Sequence, residues 1–494
     1  MKRMDKTDAP DLKSGVVYTG IGSGMMRKKL ALTIDRKTKV PISEQIRRGI
    51  TEAIREGVLL PGTRLPSWID LAVQLGVSRG TVKTAYDRLF DEQLVVTSRS
   101  RGTSIAEHLP ANMVCPVSPE PLPASEMYQE YWSPAGVFQM GVPADDAFPV
   151  PLFSRLFAAA ARETMSSSHH YGDPRGESAL RREIAGLLVL SRGIKCHPSQ
   201  IFITAGFTGA LGLILHALSL SGQKAWVENP GFPPARRALE LAGLTIVPVS
   251  VDAEGINTEH GIRLAPEAAL ALVTPGQQAP LGMTLSRTRR NQLLAWAHQN
   301  SSWILEDDYL GELQLNRRAA PALASQDTSG RVIHIGSFSK TISPKLRLGF
   351  VVVPHSLIDV VADVAACLSP APDPALQMAT RAFLNEGHFL RHLRKMKKIY
   401  GIRSIELAKI LQQAGYRPEI NGLSVLLPLA ENVSDRAIAR HAYHYNLAPS
   451  PLSGWYLPGI PARSGLLLGI SGKHDATLEQ ACEQLDSLIR KFST

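Results

Sequence analysis

The chain has 494 residues, with 54 lysines and arginines against 44 aspartates and glutamates. This length predicts two or three domains. The four cysteines are scattered without a CxxC pair, which argues against a disulfide framework and against a thiolate zinc site. The N-terminal residues are polar, and no apolar stretch approaches the roughly 18 residues of a membrane span. We therefore expect a cytoplasmic protein that does not associate with membranes.

The positive charge is concentrated in the first fifth of the chain. Residues 1–105 contain 19 basic and 11 acidic residues, a net charge of +8, whereas the remainder contains 35 and 33. A basic segment ahead of a nearly neutral remainder is typical of a nucleic-acid-binding module attached to another domain. The alternative, a basic soluble tail, requires that the segment contain no folded motif.

The basic segment does contain such a motif. Within "PISEQIRRGITEAIREG" the isoleucines recur at four-residue steps, which predicts an amphipathic helix that ends at Gly57. The stretch "SWIDLAVQLGVSRGTVKTAYDRLFDEQLV" predicts a short helix, a break at Gly76 and a second helix capped by Ser78. This is the spacing of a helix-turn-helix.

Two parts of the motif are suited to contact DNA. Arg79, Thr81 and Lys83 lie near the N-terminal end of the second helix, where such side chains reach base edges and phosphates of the major groove. Residues 94–105 alternate as a β-hairpin, a wing that can lie against the minor groove or the DNA backbone. The residues at its tip are Arg99, Arg101 and Gly102.

Residues 41–106 resemble the winged-helix domain of the GntR superfamily, through "PGTRLPS", "LGVSR" and the later "GT". The resemblance implies an α+β winged helix-turn-helix that binds a double-stranded DNA operator. The DNA contacts that it implies are Ser78, Arg79, Thr81, Lys83, Arg101 and Gly102. The arginine that the family usually has shortly after "LPS" is replaced here by Trp68 and Ile69, so we expect a different site preference.

Composition predicts four segments in the chain. Prolines at five positions between residues 107 and 133 prevent regular structure and keep this stretch semi-extended, as in a linker. The predicted segments are a basic N-terminal extension (1–38), the winged helix (39–106), the proline-rich linker (107–133) and a second domain (134–494).

The second domain alternates short apolar strands with helical stretches. This alternation predicts a mostly parallel sheet covered by helices on both faces. In such sheets ligands bind at the carboxyl ends of the strands. The predicted strands are "IFITAG", "KAWVENP", "TIVPVSV", "ALALVTP", "SWILEDDY", "RVIHIGS" and "LRLGFVVVP".

Two of these strand ends are suited to bind a charged ligand. The first strand ends at Gly206 and a helix begins there, so the free amides of the next residues predict an anion site suited to phosphate. Another strand ends in Asp307 and Asp308, followed by Tyr309. Taken alone, the two carboxylates also fit a metal site or a solvated loop.

A third strand end contains Lys340, which by position alone would be a solvated loop lysine. The nearby Ser337, Ser339 and Arg347 add two small donors and a fixed positive charge. Pyridoxal phosphate (PLP) requires an amine that forms an imine, a carboxylate at its ring nitrogen, a phenol or amide near its ring oxygen and donors for its phosphate. Partial burial beside Arg347 would lower the pKa of Lys340 and favour the reactive amine.

The second domain resembles fold-type I aminotransferases through "YGDPRGESALRREI", "ENPGF", "EDDY", "GSFSKTISPKLRLG" and "RHLRKMKKIY". With the winged helix, the whole chain resembles the MocR/GabR family of transcription regulators. The resemblance implies an α/β domain with a smaller α+β subdomain over roughly 367–494, PLP as cofactor and no metal. Lys340 would be the Schiff-base lysine, Asp307 would bind the ring nitrogen, Tyr309 would lie near the ring oxygen and Phe232 against the ring. The remaining implied cofactor contacts are Tyr171 of the other subunit, Gly206, Phe207, Thr208, Gln278, Ser337, Ser339 and Arg347.

The resemblance also implies a homodimer, because fold-type I sites are built at a dimer interface and two winged helices would then face paired half-sites. The leading hypothesis is a DNA-binding regulator that senses a small-molecule effector, which would be an amine, an amino acid or PLP. One alternative is a working aminotransferase with an accessory DNA-binding domain. Another is a regulator whose second domain has lost the cofactor.

Two departures from the family bear on the effector. Aminotransferases of this fold hold the substrate α-carboxylate with an arginine near the C-terminus, and Leu467 stands at that position in "RSGLLLGIS", with Arg463 four residues before it. The basic position that GabR-like sensors have after "PGY" is Pro234 here, and Arg236 comes only later. We therefore expect transamination to be absent or very slow. The expected signal is PLP itself or an amine that lacks the usual carboxylate.

Overall fold

The computed structural model describes residues 15–17, 30–98, 102–110, 136–144, 146–167, 170–315, 320–472 and 476–493. The chain divides into two compact units, residues 1–124 and residues 125–494. Each unit has a hydrophobic core of its own and is described by itself.

The first unit contains the predicted helix, helix-turn-helix and hairpin, in that order. Helix α1 ends two residues before the expected Gly57. The hairpin strands pair antiparallel, with Val95 opposite Ile105. The prediction of a winged helix-turn-helix is confirmed. The elements of the unit are β1 (Gly15–Val17), β2 (Leu30–Leu32), α1 (Ile42–Arg55), α2 (Trp68–Leu75), α3 (Arg79–Asp91), β3 (Val95–Ser98) and β4 (Gly102–Ile105).

Two caps and one glycine define the helix-turn-helix. The Ser67 hydroxyl accepts a hydrogen bond from the amide of Asp70 at 3.1 Å, which fixes the start of α2. Helix α2 ends where Gly76 adopts a φ of 61°, a left-handed conformation that favours glycine. The Ser78 hydroxyl then accepts from the amide of Thr81 at 3.1 Å, so α3 begins where the sequence predicts.

The second unit is built on an eight-stranded sheet with helices on both faces. Its helices are α4 (Val150–Ser166), α5 (Ser178–Arg192), α6 (Gly206–Leu218), α7 (Pro233–Leu241), α8 (Thr258–Leu264), α9 (Arg287–Gln299), α10 (Ile358–Cys367), α11 (Pro374–Asn385), α12 (His388–Gln413), α13 (Asp435–Ala442) and α14 (Ala476–Ser493). The strands of the large sheet are β5 (Ile201–Thr204), β6 (Lys224–Asn229), β7 (Thr245–Asp252), β8 (Gly255–Ile256), β9 (Leu270–Val273), β10 (Trp303–Asp308), β11 (Val332–Ser337) and β12 (Gly349–Val352). All seven predicted strands are present, and β8 adds a short eighth.

The strand order of the large sheet is β5-β12-β11-β10-β9-β6-β7-β8. Strands β11, β10, β9, β6 and β7 are parallel neighbours, whereas β12 is antiparallel to both of its neighbours and β8 is antiparallel to β7. The prediction of a mostly parallel sheet is therefore confirmed. Because β10 lies between β9 and β11, Asp307 and Asp308 lie near the middle of the carboxyl edge of the sheet.

A smaller antiparallel sheet, in the order β13-β14-β16-β15, forms the α+β part that the resemblance implied. Its strands are β13 (Glu419–Asn421), β14 (Ser424–Pro428), β15 (Ser450–Pro451) and β16 (Gly465–Gly469). None of the helices in the described ranges is long and apolar enough to cross a membrane.

Alternation along the strands of the large sheet divides the apolar side chains between two cores. Phe202, Leu305 and Val351 pack in one cluster with α6, whereas Ile203 and Phe350 pack in a cluster on the other face. Successive strand residues point to opposite faces. Adjacent residues at a strand end therefore have different neighbours, and this difference determines the hydrogen-bond partners of Asp307 and Asp308.

Candidate functional site

The exposed side of α3 carries the basic residues that the sequence predicts to contact DNA. Arg79 and Lys83 are exposed and Thr81 is partly exposed. Neither basic side chain forms an ion pair with any residue that the structure describes. The hydroxyls of Ser78 and Thr81 lie 2.7 Å apart and also stabilise the helix start. The first two turns of α3 thus present two cations without acidic partners.

One further arginine, from the loop before α2, lies beside the hairpin that follows α3. Arg99 and Arg101, at the tip, lie outside the described residues. Gly102 begins β4 with a φ of 76°, and a Cβ atom at Gly102 would lie 3.4 Å from Nη2 of Arg64. Arg64 is exposed, and its backbone bridges to Ser104. Sequence reasoning missed Arg64, although a basic residue inside the "PGTRLPS" motif was a usable signal.

The arginines of α1 are occupied by acidic partners. The Glu44 carboxylate lies 2.7 Å from the Arg47 guanidinium and 2.8 Å from that of Arg48. Arg88 of α3 reaches the same carboxylate at 3.2 Å. The hydrogen bond from Arg47 is the main cause that lowers the pKa of Glu44 to about 2. Much of the basic charge on α1 is therefore neutralised locally.

The turn between β5 and α6 brings amides and a cation together. Helix α6 begins with Gly206, Phe207 and Thr208, whose amides belong to the first turn and have no acceptor within the helix. Nη2 of Arg347 donates a 2.6 Å hydrogen bond to the Thr208 hydroxyl. Arg347 itself has a φ of 50°, in the left-handed region that non-glycine residues rarely adopt. This combination favours an anion.

Ser337 and Ser339 border the same turn. The Ser339 hydroxyl would lie 3.9 Å from a Cβ atom on Gly206, and its amide donates to the Ser337 hydroxyl at 3.2 Å. Ser337 pairs across the sheet with Gly349, where a Cβ atom would lie 3.0 Å from Cα of Gly206. The structure therefore brings the predicted phosphate-binding residues to one place.

Lys340 follows β11 and is partly buried. Its Nζ donates a 2.5 Å hydrogen bond to the carbonyl of Gly141. Burial lowers the pKa of Lys340 to about 8, while the Asp307 carboxylate acts in the opposite direction. The lowered pKa agrees with the sequence-based expectation, but burial is its cause and Arg347 is not. Near neutral pH a useful fraction of the amine is unprotonated, which a nucleophile requires.

Asp307 is a buried carboxyl with an unsatisfied oxygen. Its side chain points to the Leu305 face of the sheet, and its Oδ1 has no hydrogen-bond partner among the described residues. Burial, followed by the Asp308 and Glu228 carboxylates, raises the pKa of Asp307 to about 8. An unpaired buried polar group costs about 1–3 kcal/mol, and a charged one costs more. Asp307 is therefore poised to accept a hydrogen bond from a donor that the described residues do not provide.

Asp308 points to the other face and has a partner. Nε and Nη2 of the buried Arg192, at the end of α5, donate to its two carboxylate oxygens at 2.6 and 3.1 Å. A Cβ atom at Gly311 would lie 2.5 Å from Oδ2 of Asp308, so this pair requires glycine nearby. The described residues contain no group of His, Cys, Asp and Glu that could hold a metal. The two predicted carboxylates thus differ. Asp308 forms an ion pair with Arg192, whereas one oxygen of Asp307 has no partner among the described residues.

A small cavity beside the end of β6 is lined by both Asp307 and Phe232. The Phe232 ring centroid lies 5.8 Å from the ring of Trp455. Arg236, one turn further along α7, lines the same cavity. Burial, followed by the Asp307 charge, raises the pKa of the Tyr309 hydroxyl, so the phenol stays protonated as a donor. The cavity lining thus combines a carboxyl, an aromatic ring and an arginine.

Gln278 lies beside this group, since its Nε2 donates to Oε2 of Glu228 in the cavity lining at 3.3 Å, but its amide is mostly used by backbone groups. Nε2 of Gln278 donates to the carbonyls of Pro230 and Ala279 at 2.8 and 2.7 Å, and its Oε1 accepts from the amide of Leu281 at 3.0 Å. The Gln278 amide thus stabilises the loop after β9 and has no hydrogen left for a ring oxygen. Tyr171 is fully exposed in the single chain.

The position of the expected substrate-binding arginine is apolar. Leu467 is fully buried in β16 and packs with Leu426 and Leu452. Arg463 is exposed and lies 3.6 Å from the Glu419 carboxylate. Strand β16 has the sequence GLLLG and offers no cation. The usual α-carboxylate contact is therefore missing from this side of the site.

Comparison with known proteins agrees with this division into two units. Residues 42–105 match the family described as bacterial regulatory proteins, gntR family, and residues 141–459 match aminotransferase class I and II. The chain is 32% identical to the uncharacterized HTH-type transcriptional regulator YhdI of Bacillus subtilis, over 92% of this chain and 96% of that protein. It is 31% identical to the probable rhizopine catabolism regulatory protein MocR of Rhizobium meliloti, over 92% of this chain and 95% of that protein. It is 30% identical to the pyridoxine biosynthesis transcriptional regulator PdxR of Corynebacterium glutamicum, over 93% and 98%.

Solved structures show the same fold for the second unit. A kynurenine aminotransferase of Pyrococcus horikoshii in complex with PMP is 21% identical and has a TM-score of 0.67. The match covers 75% of this chain and 95% of the aminotransferase chain. An archaeal alanine:glyoxylate aminotransferase is 23% identical, also with a TM-score of 0.67, and covers 74% and 92%. The second unit has the fold of the fold-type I aminotransferases.

A GntR-type winged helix joined to an aminotransferase class I and II domain defines a class of DNA-binding transcription regulators. The chain belongs to the MocR family of these regulators. The leading hypothesis from sequence, a DNA-binding regulator, is confirmed. The alternative of a working aminotransferase with an accessory DNA-binding domain is not favoured.

Gly311→Ala should destabilise the second unit by about 1–3 kcal/mol, because the added methyl group would overlap the Asp308–Arg192 ion pair. Gly186→Ala is the matched control, since a Cβ atom at Gly186, inside α5, meets no atom within 4 Å. Urea unfolding of the full chain measures both effects. Equal stability of the two variants would contradict the packing described around Asp308.

The raised pKa of Asp307 predicts a pH dependence in dialysed, ligand-free protein. The folded carboxyl titrates at about 8, against about 3.9 when unfolded. The folded state therefore holds an extra proton between these values, and its stability falls as pH rises through this window. Asp307→Asn should remove this fall. The melting temperature of the variant should therefore exceed that of wild type by a larger margin at pH 8 than at pH 5. The same difference at both values would be inconsistent with a buried, titrating Asp307.

Proposed function

We propose that this regulator binds PLP in its second unit and senses a small-molecule effector there, while the first unit binds a double-stranded operator. One observation carries the cofactor proposal: a buried carboxyl with an unsatisfied oxygen, Asp307, lies in the same site as Lys340, an amine of lowered pKa. The protonated nitrogen of a pyridine ring is the kind of donor that Asp307 lacks. A solved aminotransferase of this fold holds PMP.

The chain has a residue for each contact that PLP needs. Lys340 would attach to the aldehyde carbon, Asp307 would accept the ring N–H, the Tyr309 hydroxyl would donate to the ring oxygen and Phe232 would lie against the ring. The assigned phosphate contacts are Gly206, Phe207, Thr208, Ser337, Ser339 and Arg347. Tyr171 would reach the phosphate from the partner subunit.

PLP, when bound, supplies an electron sink for bonds at the carbon next to an amine. The protein residues set the protonation states around it. Asp307 in its ionised form would hold the proton on the ring nitrogen, and burial keeps the Lys340 amine partly unprotonated near neutral pH. Arg347 and the amides at the start of α6 would balance the phosphate charge. These residues would thus bind and orient the cofactor.

We infer that full transamination is absent or very slow. Leu467 provides no charged contact for an α-carboxylate, and Arg463 is exposed beside Glu419. A charge-assisted hydrogen bond of this kind contributes about 1.5–3 kcal/mol, so its loss weakens an ordinary amino acid by roughly ten- to hundredfold. The proposed signal is PLP itself or an amine that lacks the usual carboxylate.

The DNA contacts that we propose lie on α3 and the hairpin. Arg79 and Lys83 would reach the major groove, because both are exposed on the first turns of α3 and neither has an acidic partner in the described part of the chain. Ser78 and Thr81 would contact the backbone near the helix start. Arg101 and Gly102 would contact DNA from the wing, and Arg64 is added as a further contact beside Gly102.

A homodimer would join these two functions. Fold-type I sites are completed at a dimer interface, and Tyr171 is fully exposed in the single chain. A twofold dimer presents its two winged helices to paired half-sites. The second contact then binds at high effective concentration, which raises the affinity for the operator.

Purified protein should be yellow, and Lys340→Ala should abolish the visible absorbance band. Lys345→Ala is the matched control, because Lys345 is exposed and only five residues further along the same loop. Absorbance spectra of the three proteins after PLP addition and gel filtration measure this. Retention of the band in Lys340→Ala would show that another lysine attaches the cofactor.

Arg79→Ala should weaken operator binding by about tenfold or more and reduce its salt dependence. Arg55→Ala is the control in the same unit, since Arg55 is exposed but paired with Glu52 at 2.6 Å. Fluorescence anisotropy of a labelled operator duplex at several salt concentrations distinguishes the two variants. Equal losses would count against α3 as the recognition helix.

A further inference from the structure

The buried face of α12 contacts the main chain next to Lys340. Nε2 of His392 lies 2.7 Å from the carbonyl oxygen of Thr341, the residue that follows Lys340. Two turns further along the helix, the Tyr400 hydroxyl accepts a hydrogen bond from the amide of Ala144 at 2.8 Å. Both side chains are buried, and a spacing of two four-residue steps keeps them on one side of the helix. One helix face thus holds two separate stretches of chain.

The stretch that includes Ala144 also contacts the Lys340 amine. The carbonyl of Gly141 accepts the hydrogen bond from Nζ of Lys340 at 2.5 Å. Nζ of Lys395, on α12, donates to the carbonyl of Asp146 at 3.1 Å. Helix α12 therefore fixes both the backbone that carries Lys340 and the stretch of chain that its amine contacts.

His392 is packed among aromatic rings and is neutral near pH 7. The ring centroids of Phe148 and Phe383 lie 5.5 and 6.2 Å from that of His392. Burial lowers the pKa of His392, whereas the backbones of Thr341 and Ala147 act in the opposite direction. A neutral imidazole has a single N–H, and the short contact with a carbonyl assigns it to Nε2. His392 thus gives its one donor to the Thr341 backbone.

The bond from His392 anchors the turn that carries Lys340. The turn is closed by the amide of Ile342, which donates to the carbonyl of Phe338 at 2.7 Å. Thr341 lies inside the turn and is buried. Apart from His392, no group in the described ranges donates to the Thr341 carbonyl, and a buried carbonyl without a donor is unfavourable. Loss of the His392 donor should therefore displace the turn.

We propose that His392 is a positioning residue that directs the Lys340 amine toward the aldehyde of the cofactor. The proposal rests on the proposed function, in which Lys340 attaches PLP. Attachment joins Nζ to the aldehyde carbon through a double bond and releases one water, so the amine must approach that carbon in a defined geometry. The hydrogen bond of His392 goes to the Thr341 backbone and to none of the residues assigned to the cofactor ring or phosphate. His392 should therefore affect the rate of attachment and leave the initial binding of PLP unchanged.

Stopped-flow absorbance of full-length, cofactor-free protein mixed with increasing PLP separates these two quantities. The half-saturating concentration reports initial binding, and the limiting rate reports attachment. His392→Leu fills the apolar surroundings but donates no hydrogen bond, and its limiting rate should fall about tenfold or more with an unchanged half-saturating concentration. His392→Gln, whose side-chain amide can reach the same carbonyl, should restore most of the rate.

His388→Leu is the matched control on the same helix. The His388 ring also packs against Phe383, with centroids 6.0 Å apart, but its Nε2 contacts the Glu386 carboxylate at 2.9 Å. This variant should attach PLP at the wild-type rate. A wild-type limiting rate in His392→Leu, or equal losses in His392→Leu and His392→Gln, would overturn the proposal. A parallel rise in the half-saturating concentration would also overturn it, because the whole site would then be damaged.

Failure of the cofactor assignment gives a different result, because wild-type protein would then develop no visible band. Acetic anhydride labelling of cofactor-free protein tests His392 in that case. Burial lowers the pKa of Lys340 to about 8, and a displaced turn would admit water and raise it. The pH midpoint of Lys340 labelling, read from peptide masses against the exposed Lys345, should be higher in His392→Leu than in wild type, His392→Gln and His388→Leu. The same midpoint in all four proteins would overturn the positioning role by itself.

Discussion

The adjacent carboxyls Asp307 and Asp308 end a central strand, and the alternation of that strand sends them to opposite faces of the sheet. Arg192 neutralises Asp308 through two hydrogen bonds. Asp307 keeps an unsatisfied oxygen in a buried place where burial and two further carboxylates disfavour its ionised form. A cationic donor from outside the chain beside Asp307 would favour its ionised form at neutral pH. Lys340 lies close enough to Asp307 for their charges to interact, and Phe232 lines the same cavity as Asp307.

Binding of a cationic donor beside Asp307 should therefore increase the stability of the folded second unit. A ligand that binds only the folded state stabilises it by mass action. A ligand regulates DNA binding only if its affinity differs between the states that bind the operator well and poorly. Leu467 is buried with Leu426 and Leu452, so β16 offers no cation for an acidic ligand group.

The sequence predicted local structure well, because periodic isoleucines, the Ser78 cap and Gly76 act within a few residues. It also predicted that Lys340 and Asp307 lie near each other, since a parallel sheet gathers its strand ends at one edge. It did not predict long-range partners: Arg192 is 116 residues from Asp308 in sequence. Gln278 was expected at the cofactor ring, but its amide is used by nearby backbone groups. The contact of Arg101 with DNA and the domain boundaries stay predictions.

Reduction of the PLP-loaded protein with borohydride, followed by digestion and peptide mass analysis, tests the central claim most directly. Reduction makes the bond between cofactor and lysine permanent, so the modified residue can be read from the peptide mass. The account predicts one phosphopyridoxyl group, on Lys340 in the peptide after β11. A label on a different lysine, or unmodified Lys340 after reduction, would contradict the site that the buried Asp307 carboxyl defines.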